Sequence, residues 1–162
     1  MSRIIGRVVV GVSGSPESLH ALRHGVELAR QYEATLIAVN AQPAPAPGRL
    51  RPRAAPAAEP WQHTACTVVR TAFDEALGGL PRGLDCVLLA APGRPGPALL
   101  AVAERTNDVL VLGARRGPGV SRLIRCGVAA YCVEHASCSV LRIPPPPFVT
   151  RQRTLARAPH GS

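Results

Sequence analysis

Five short runs rich in valine and leucine alternate with longer stretches of helical periodicity, and a chain with that rhythm folds as a parallel sheet covered by helices on both faces. The runs are Arg7 to Val12, Thr35 to Ala41, Asp85 to Ala90, Asp108 to Gly113 and Ser139 to Ile143. Their near-continuous apolar character suits strands buried on two sides. At 162 residues the chain has the size of one domain. Its 46% apolar and 18% charged residues are enough to build a core and argue against wholesale disorder. Aromatics make up only 3%, so that core is aliphatic and alanine-rich.

Helical signals fill the intervals. Ser15-Pro16 supplies a capping hydroxyl followed by proline at the first helical position, so the first helix is expected to run to about Tyr32. Leu19, Leu22, Val26 and Ala29 form its core-facing stripe. A second stripe, Glu17, His20, His24 and Glu27, can be drawn as a metal site with two imidazoles one turn apart. Its displacement around the helix favours a solvated face instead, and no metal is expected. Further helices are expected over Trp61 to Leu80, with Val68, Val69, Ala72, Phe73, Ala76 and Leu77 as one broad face, over Pro97 to Arg105 and over Gly127 to His135.

Residues 42–60 hold six prolines and much alanine, which reads as a linker or surface loop within a domain spanning 1–147. Residues 148–162 read as a disordered basic tail. No internal repeat is evident.

All 19 basic residues are arginine, and there are 17 prolines. That pattern reads as a bias toward G and C in the coding sequence as much as a functional choice. Basic surfaces that grip nucleic acid usually carry stacking aromatics or a recognisable module, and neither is present. The N-terminal apolar run breaks at Gly11 and no run approaches a membrane span, so the expected location is the cytoplasm, with no membrane or nucleic-acid partner. Five cysteines, at 66, 86, 126, 132 and 138, include no C-x-x-C pair and read as thiols.

Open parallel sheets bind ligands beyond the carboxyl ends of their strands. Two segments there have suitable composition. Gly11-Val12-Ser13-Gly14-Ser15 offers glycines for close backbone approach and hydroxyls leading into a helix. Gly113 to Gly127 contains Gly117, Gly119 and four arginines, at 115, 116, 122 and 125. Such a loop can present backbone N–H groups to an anion.

Taken in order, V-V-V-G-V-S-G-S-P-E-S, then D-V-L-V-L-G-A-R-R-G, then H-A-S-C-S-V-L-R-I resemble the universal stress protein family across residues 4 to 144. The resemblance implies a three-layer, Rossmann-like α/β sandwich of five parallel strands in the order 3-2-1-4-5. It also implies a homodimer through the last strand, Ser139 to Ile143, and in many members ATP between the two loops. The candidate binding residues carried over are Gly11, Ser13, Val39, Gly113, Arg115, Arg116, Gly119, Gly127 and Val128.

This chain departs from the family pattern. Ser13 stands where nucleotide-binding members carry aspartate. Against the loop pattern G-x2-G-x9-G followed by serine or threonine, an ungapped count matches Gly113 but puts Arg116, Cys126 and Gly127 at the remaining positions. A one-residue insertion rescues Gly117 and Gly127 and leaves Val128 at the hydroxyl position. The match at His135, Ala136 and Cys138 favours the ungapped count. A charge-assisted hydrogen bond from aspartate is worth roughly 1.5–3 kcal/mol, against about 1 for a neutral one. Several such losses weaken a micromolar site by roughly a hundredfold or more.

The expectation is therefore a non-catalytic regulatory protein that binds ATP weakly or not at all and acts through its dimer and an unidentified protein partner. No paired carboxylates or catalytic constellation can be assigned. The alternative is a sensor whose arginine forks hold a nucleotide or other phosphate ligand at 113–127. Cys126, beside Arg125, reads either as a redox-sensitive thiolate or as a buried small residue, and His135 as a structural helix-end histidine.

Overall fold

The alternation of apolar runs and amphipathic stretches produces nine elements in a computed structural model that describes residues 4–44, 59–114 and 127–146. In chain order they are β1 (Arg7–Gly11), α1 (Pro16–Gln31), β2 (Thr35–Gln42), α2 (Pro60–Leu77), β3 (Cys86–Pro92), α3 (Pro95–Val102), β4 (Asp108–Gly113), α4 (Val128–His135) and β5 (Ser139–Ile143). The strands form one parallel sheet of order β3-β2-β1-β4-β5. Strand order therefore reverses at β1, and the crevice between the ends of β1 and β4 is the switch point.

Period-two alternation divides the core between the faces of the sheet. Val8, Val10, Leu36, Ala38 and Val111 point toward α1 and α2, where they meet Leu22, Val26, Val69 and Phe73. Val9, Ile37, Val39, Leu110 and Leu112 point the other way, against Leu99 of α3 and Cys132 of α4. At Gly25 a Cβ would collide with Val10 Cγ2, so α1 crosses β1 without a side chain between them. This contact offsets the cost of about 1 kcal/mol for glycine in mid-helix.

Several expectations need correction. Continuous burial holds for β1, β2 and β4, but β3 and β5 are edge strands, with Val87 and Leu141 exposed. An apolar run cannot announce that it lies at an edge. Helix α2 begins at Pro60, where the Gln62 side chain accepts from the Glu59 N–H at 2.8 Å. It stops at Leu77 rather than Leu80, because Gly78 takes the left-handed conformation with φ +74°. Leu77 is exposed and does not join the core face. Helix α3 starts two residues early at Pro95 and ends at Val102 rather than Arg105. β2 runs one residue longer than expected, to Gln42, and β3 ends on Pro92. Of the proline-rich stretch, 45–58 lies outside the described residues, as does the tail from 147 onward.

At the end of the sheet opposite the crevice, Arg7 and Asp108 lie side by side as partners in register. Arg7 Nε donates to Asp108 Oδ1 at 2.8 Å, and the second guanidinium nitrogen donates to Oδ2 and to the Val102 carbonyl. The Arg105 N–H donates to the same carboxylate at 2.9 Å. Asp108 is fully buried, so this pairing ties β1, β4 and the end of α3 together. The hydrogen bond to Asp108 raises Arg7 above the usual arginine value.

Candidate functional site

The crevice is built from the loop after β1, the ends of β2 and β4, and the start of α4. Val12 follows β1 and is anchored twice to β2. Its N–H donates to the Val39 carbonyl at 2.8 Å, and its carbonyl accepts from Asn40 Nδ2 at 2.7 Å. Asn40 is buried, and its Oδ1 accepts from Gln42 Nε2 at 2.7 Å. A polar residue late in an apolar strand was the signal for this clamp, and the sequence reading missed it.

Beyond Val12 the chain turns through Gly14, with φ +83°, a conformation only glycine adopts freely. The serines close the turn on themselves. Ser13 N–H donates to Ser18 Oγ at 3.2 Å, and Ser13 Oγ donates to Ser15 Oγ at 3.1 Å. Ser15 Oγ in turn caps α1 by accepting from the Ser18 N–H at 3.2 Å, and Ser18 Oγ donates to the Ser15 carbonyl at 3.0 Å. The hydroxyl at position 13, expected to face a ligand, is engaged within its own loop. Glu17 lies in the first turn of α1, where its negative charge offsets the positive end of the helix.

The glycines expected to admit a ligand have packing roles. A Cβ at Gly11 would sit 2.6 Å from Leu112 and 3.1 Å from Leu99. At Gly113 it would sit 2.5 Å from the backbone C and O of Glu17, so β4 ends directly against the first turn of α1. Val39 is buried in the core, and its carbonyl is the part that reaches the loop. Gly127 is the N-cap of α4 and supplies no side-chain cap, while Val128 is exposed at its first turn. Arg115, Arg116 and Gly119, together with Gly117, Arg122, Arg125 and Cys126, lie outside the described residues.

Around α4, burial pushes the Cys132 thiol up to about 11. Its sulfur faces the Gly96 carbonyl. His135 is exposed, stacks on Tyr131 at 4.3 Å and places Nδ1 2.9 Å from the Tyr131 carbonyl. Those contacts fit the expected helix-end histidine. Among the described residues no group of three or more metal-ligating side chains gathers, and no helix is long and apolar enough to cross a membrane. The described residues contain all ten acidic side chains and eight of the nineteen arginines.

The model of the universal stress protein family matches residues 5–144. Among solved structures, a universal stress protein in complex with cAMP is 24% identical with TM-score 0.69, covering 87% of this chain and 98% of its own. Universal stress protein UspA from Lactobacillus plantarum is 22% identical with TM-score 0.58, over 88% and 99% of the two chains. A universal stress protein from Archaeoglobus fulgidus in complex with dAMP is 19% identical with TM-score 0.52, over 88% and 99%. No curated protein matches the chain. At these identities the solved structures establish a shared fold, including the 3-2-1-4-5 sheet.

Proposed function

The chain belongs to the universal stress protein family, and from that premise we propose that it is a non-catalytic regulatory protein whose crevice holds adenylates weakly or not at all. The observation that carries this reading is the serine turn. Ser13 occupies the position of the family's aspartate, and its hydroxyl is engaged by Ser15. In place of a carboxylate's charge-assisted bonds, worth roughly 1.5–3 kcal/mol, a ligand there meets a neutral hydroxyl whose proton is already given to Ser15, worth about 1. Val128, exposed at the start of α4, adds no hydroxyl for a phosphate. With the crevice so reduced, signalling passes through protein contacts in the cytoplasm. The first of these contacts is a homodimer through β5, whose outer edge has no neighbouring strand among the described residues and whose Leu141 is exposed.

A second reading, a sensor for an adenylate or related phosphate ligand held through 113–127, is favoured by the cAMP and dAMP bound to two proteins of the same fold. Thermal melts in millimolar ATP, ADP, AMP and cAMP separate the two. A ligand at 100 times its dissociation constant adds about 2.7 kcal/mol. Unchanged melts support the regulatory reading, and a clear rise with one nucleotide supports the sensor. Light scattering at tens of micromolar tests the dimer, and a monomer there removes it.

A further inference from the structure

The stripe Glu17, His20, His24 and Glu27 on α1 reads from sequence as a fully solvated face, but the fold places it differently. Glu17 is buried at 6% exposure and His20 is half-buried, whereas His24 and Glu27 are exposed. The helix flank therefore enters the protein at its N-terminal end and emerges at its C-terminal end. The two imidazoles stand one turn apart with ring centroids 4.7 Å from each other, edge to face. Neither ring takes part in a hydrogen bond or ion pair among the described residues. The intervening cation, Arg23, is turned toward α2, where its Nε donates to the Ala76 carbonyl at 2.8 Å.

Two imidazoles separated by one helical turn form a bidentate nitrogen donor set. Since no third ligand joins the pair among the described residues, water would complete the coordination, as suits an exchangeable site. Imidazole donors favour late first-row metals, and affinity rises along the series to copper.

We propose that His20 and His24 form a surface chelate for late first-row divalent cations, tightest for Cu2+ and weaker for Ni2+. The site is separate from the crevice and does not depend on whether a nucleotide binds there.

The test is calorimetric titration of the full-length protein with Ni2+, which does not oxidise thiols, at neutral pH. The wild type is compared with His20→Ala, His24→Ala and the control His63→Ala, and thermal melts verify that each variant is folded. Amide signals around residues 20–24 are followed by NMR as paramagnetic Ni2+ is added. The proposal expects one equivalent of Ni2+ and broadening confined to that turn. Each single variant of the pair should weaken binding at least about tenfold, which is about 1.4 kcal/mol, while His63→Ala binds as wild type. Wild-type affinity in His20→Ala and His24→Ala, or broadening centred elsewhere, overturns it.

Discussion

Gly113→Ala asks whether the glycine after β4 is required by packing or by a ligand. A Cβ at 113 would lie 2.5 Å from the C and O atoms of Glu17 and 2.9 Å from its Cβ, where ordinary contact begins at 3.4 Å. Either the end of β4 or the first turn of α1 must then retreat by roughly 0.9 Å. The obstacle is main chain, in a turn already fixed by the Ser15 cap, so a side-chain rotation cannot relieve it. Overpacking of this kind costs about 1–3 kcal/mol, and a backbone obstacle puts this case in the upper half of that range. For a domain of this size the melting temperature should fall by roughly 4–12 °C. Urea unfolding followed by circular dichroism, with no nucleotide present, measures the effect. Gly14→Ala is the control. It meets nothing closer than 3.9 Å but has φ +83°, so its loss is conformational and near 1 kcal/mol. A Gly113→Ala protein within about 0.5 kcal/mol of wild type would refute the packing argument and return the glycine to a ligand-binding role.

Two more predictions concern the body of the fold. Arg7→Leu leaves the Asp108 carboxylate buried with one backbone donor and should cost about 3–5 kcal/mol in urea unfolding, much of it recovered in the double variant with Asp108→Leu. Cys132, with its thiol raised from 9.0 to about 11, stays protonated in the folded state while the unfolded thiol ionises. Its contribution is therefore fully present below pH 9 and lost as pH rises toward 11. Unfolding measured across that window should show a steeper decline for wild type than for Cys132→Ala, and equal slopes would contradict the assignment.

The layered fold was legible because its central strands are apolar on both faces and α1 announces its start with Ser15-Pro16. Position in the sheet was not, since Val87 and Leu141 look like core residues until the strand order is known. The Arg7–Asp108 pair left a faint trace, an ionic residue of opposite sign heading each of two apolar runs, but only the parallel register brings them together. Sequence located the turn after β1, but Gly11 and Gly113, expected to admit a ligand, pack against Leu112, Leu99 and the Glu17 backbone. It could not show that Ser13 bonds to Ser15, or that Asn40 holds the Val12 carbonyl, because both depend on where the backbone turns. Glu17 was placed in solvent by helical periodicity alone, whereas the end of β4 packs against its turn and it is buried. The described body holds more acids than arginines, and the surplus lies in the remaining segments.

The most direct measurement is the nucleotide content of freshly purified protein, by mass spectrometry of the denatured supernatant, followed by calorimetry with ATP and cAMP. A turn whose serines bond to one another, with no carboxylate at position 13, predicts no co-purifying adenylate and dissociation constants of about 0.1 mM or weaker. A stoichiometric adenylate carried through purification, or low-micromolar binding, would contradict it.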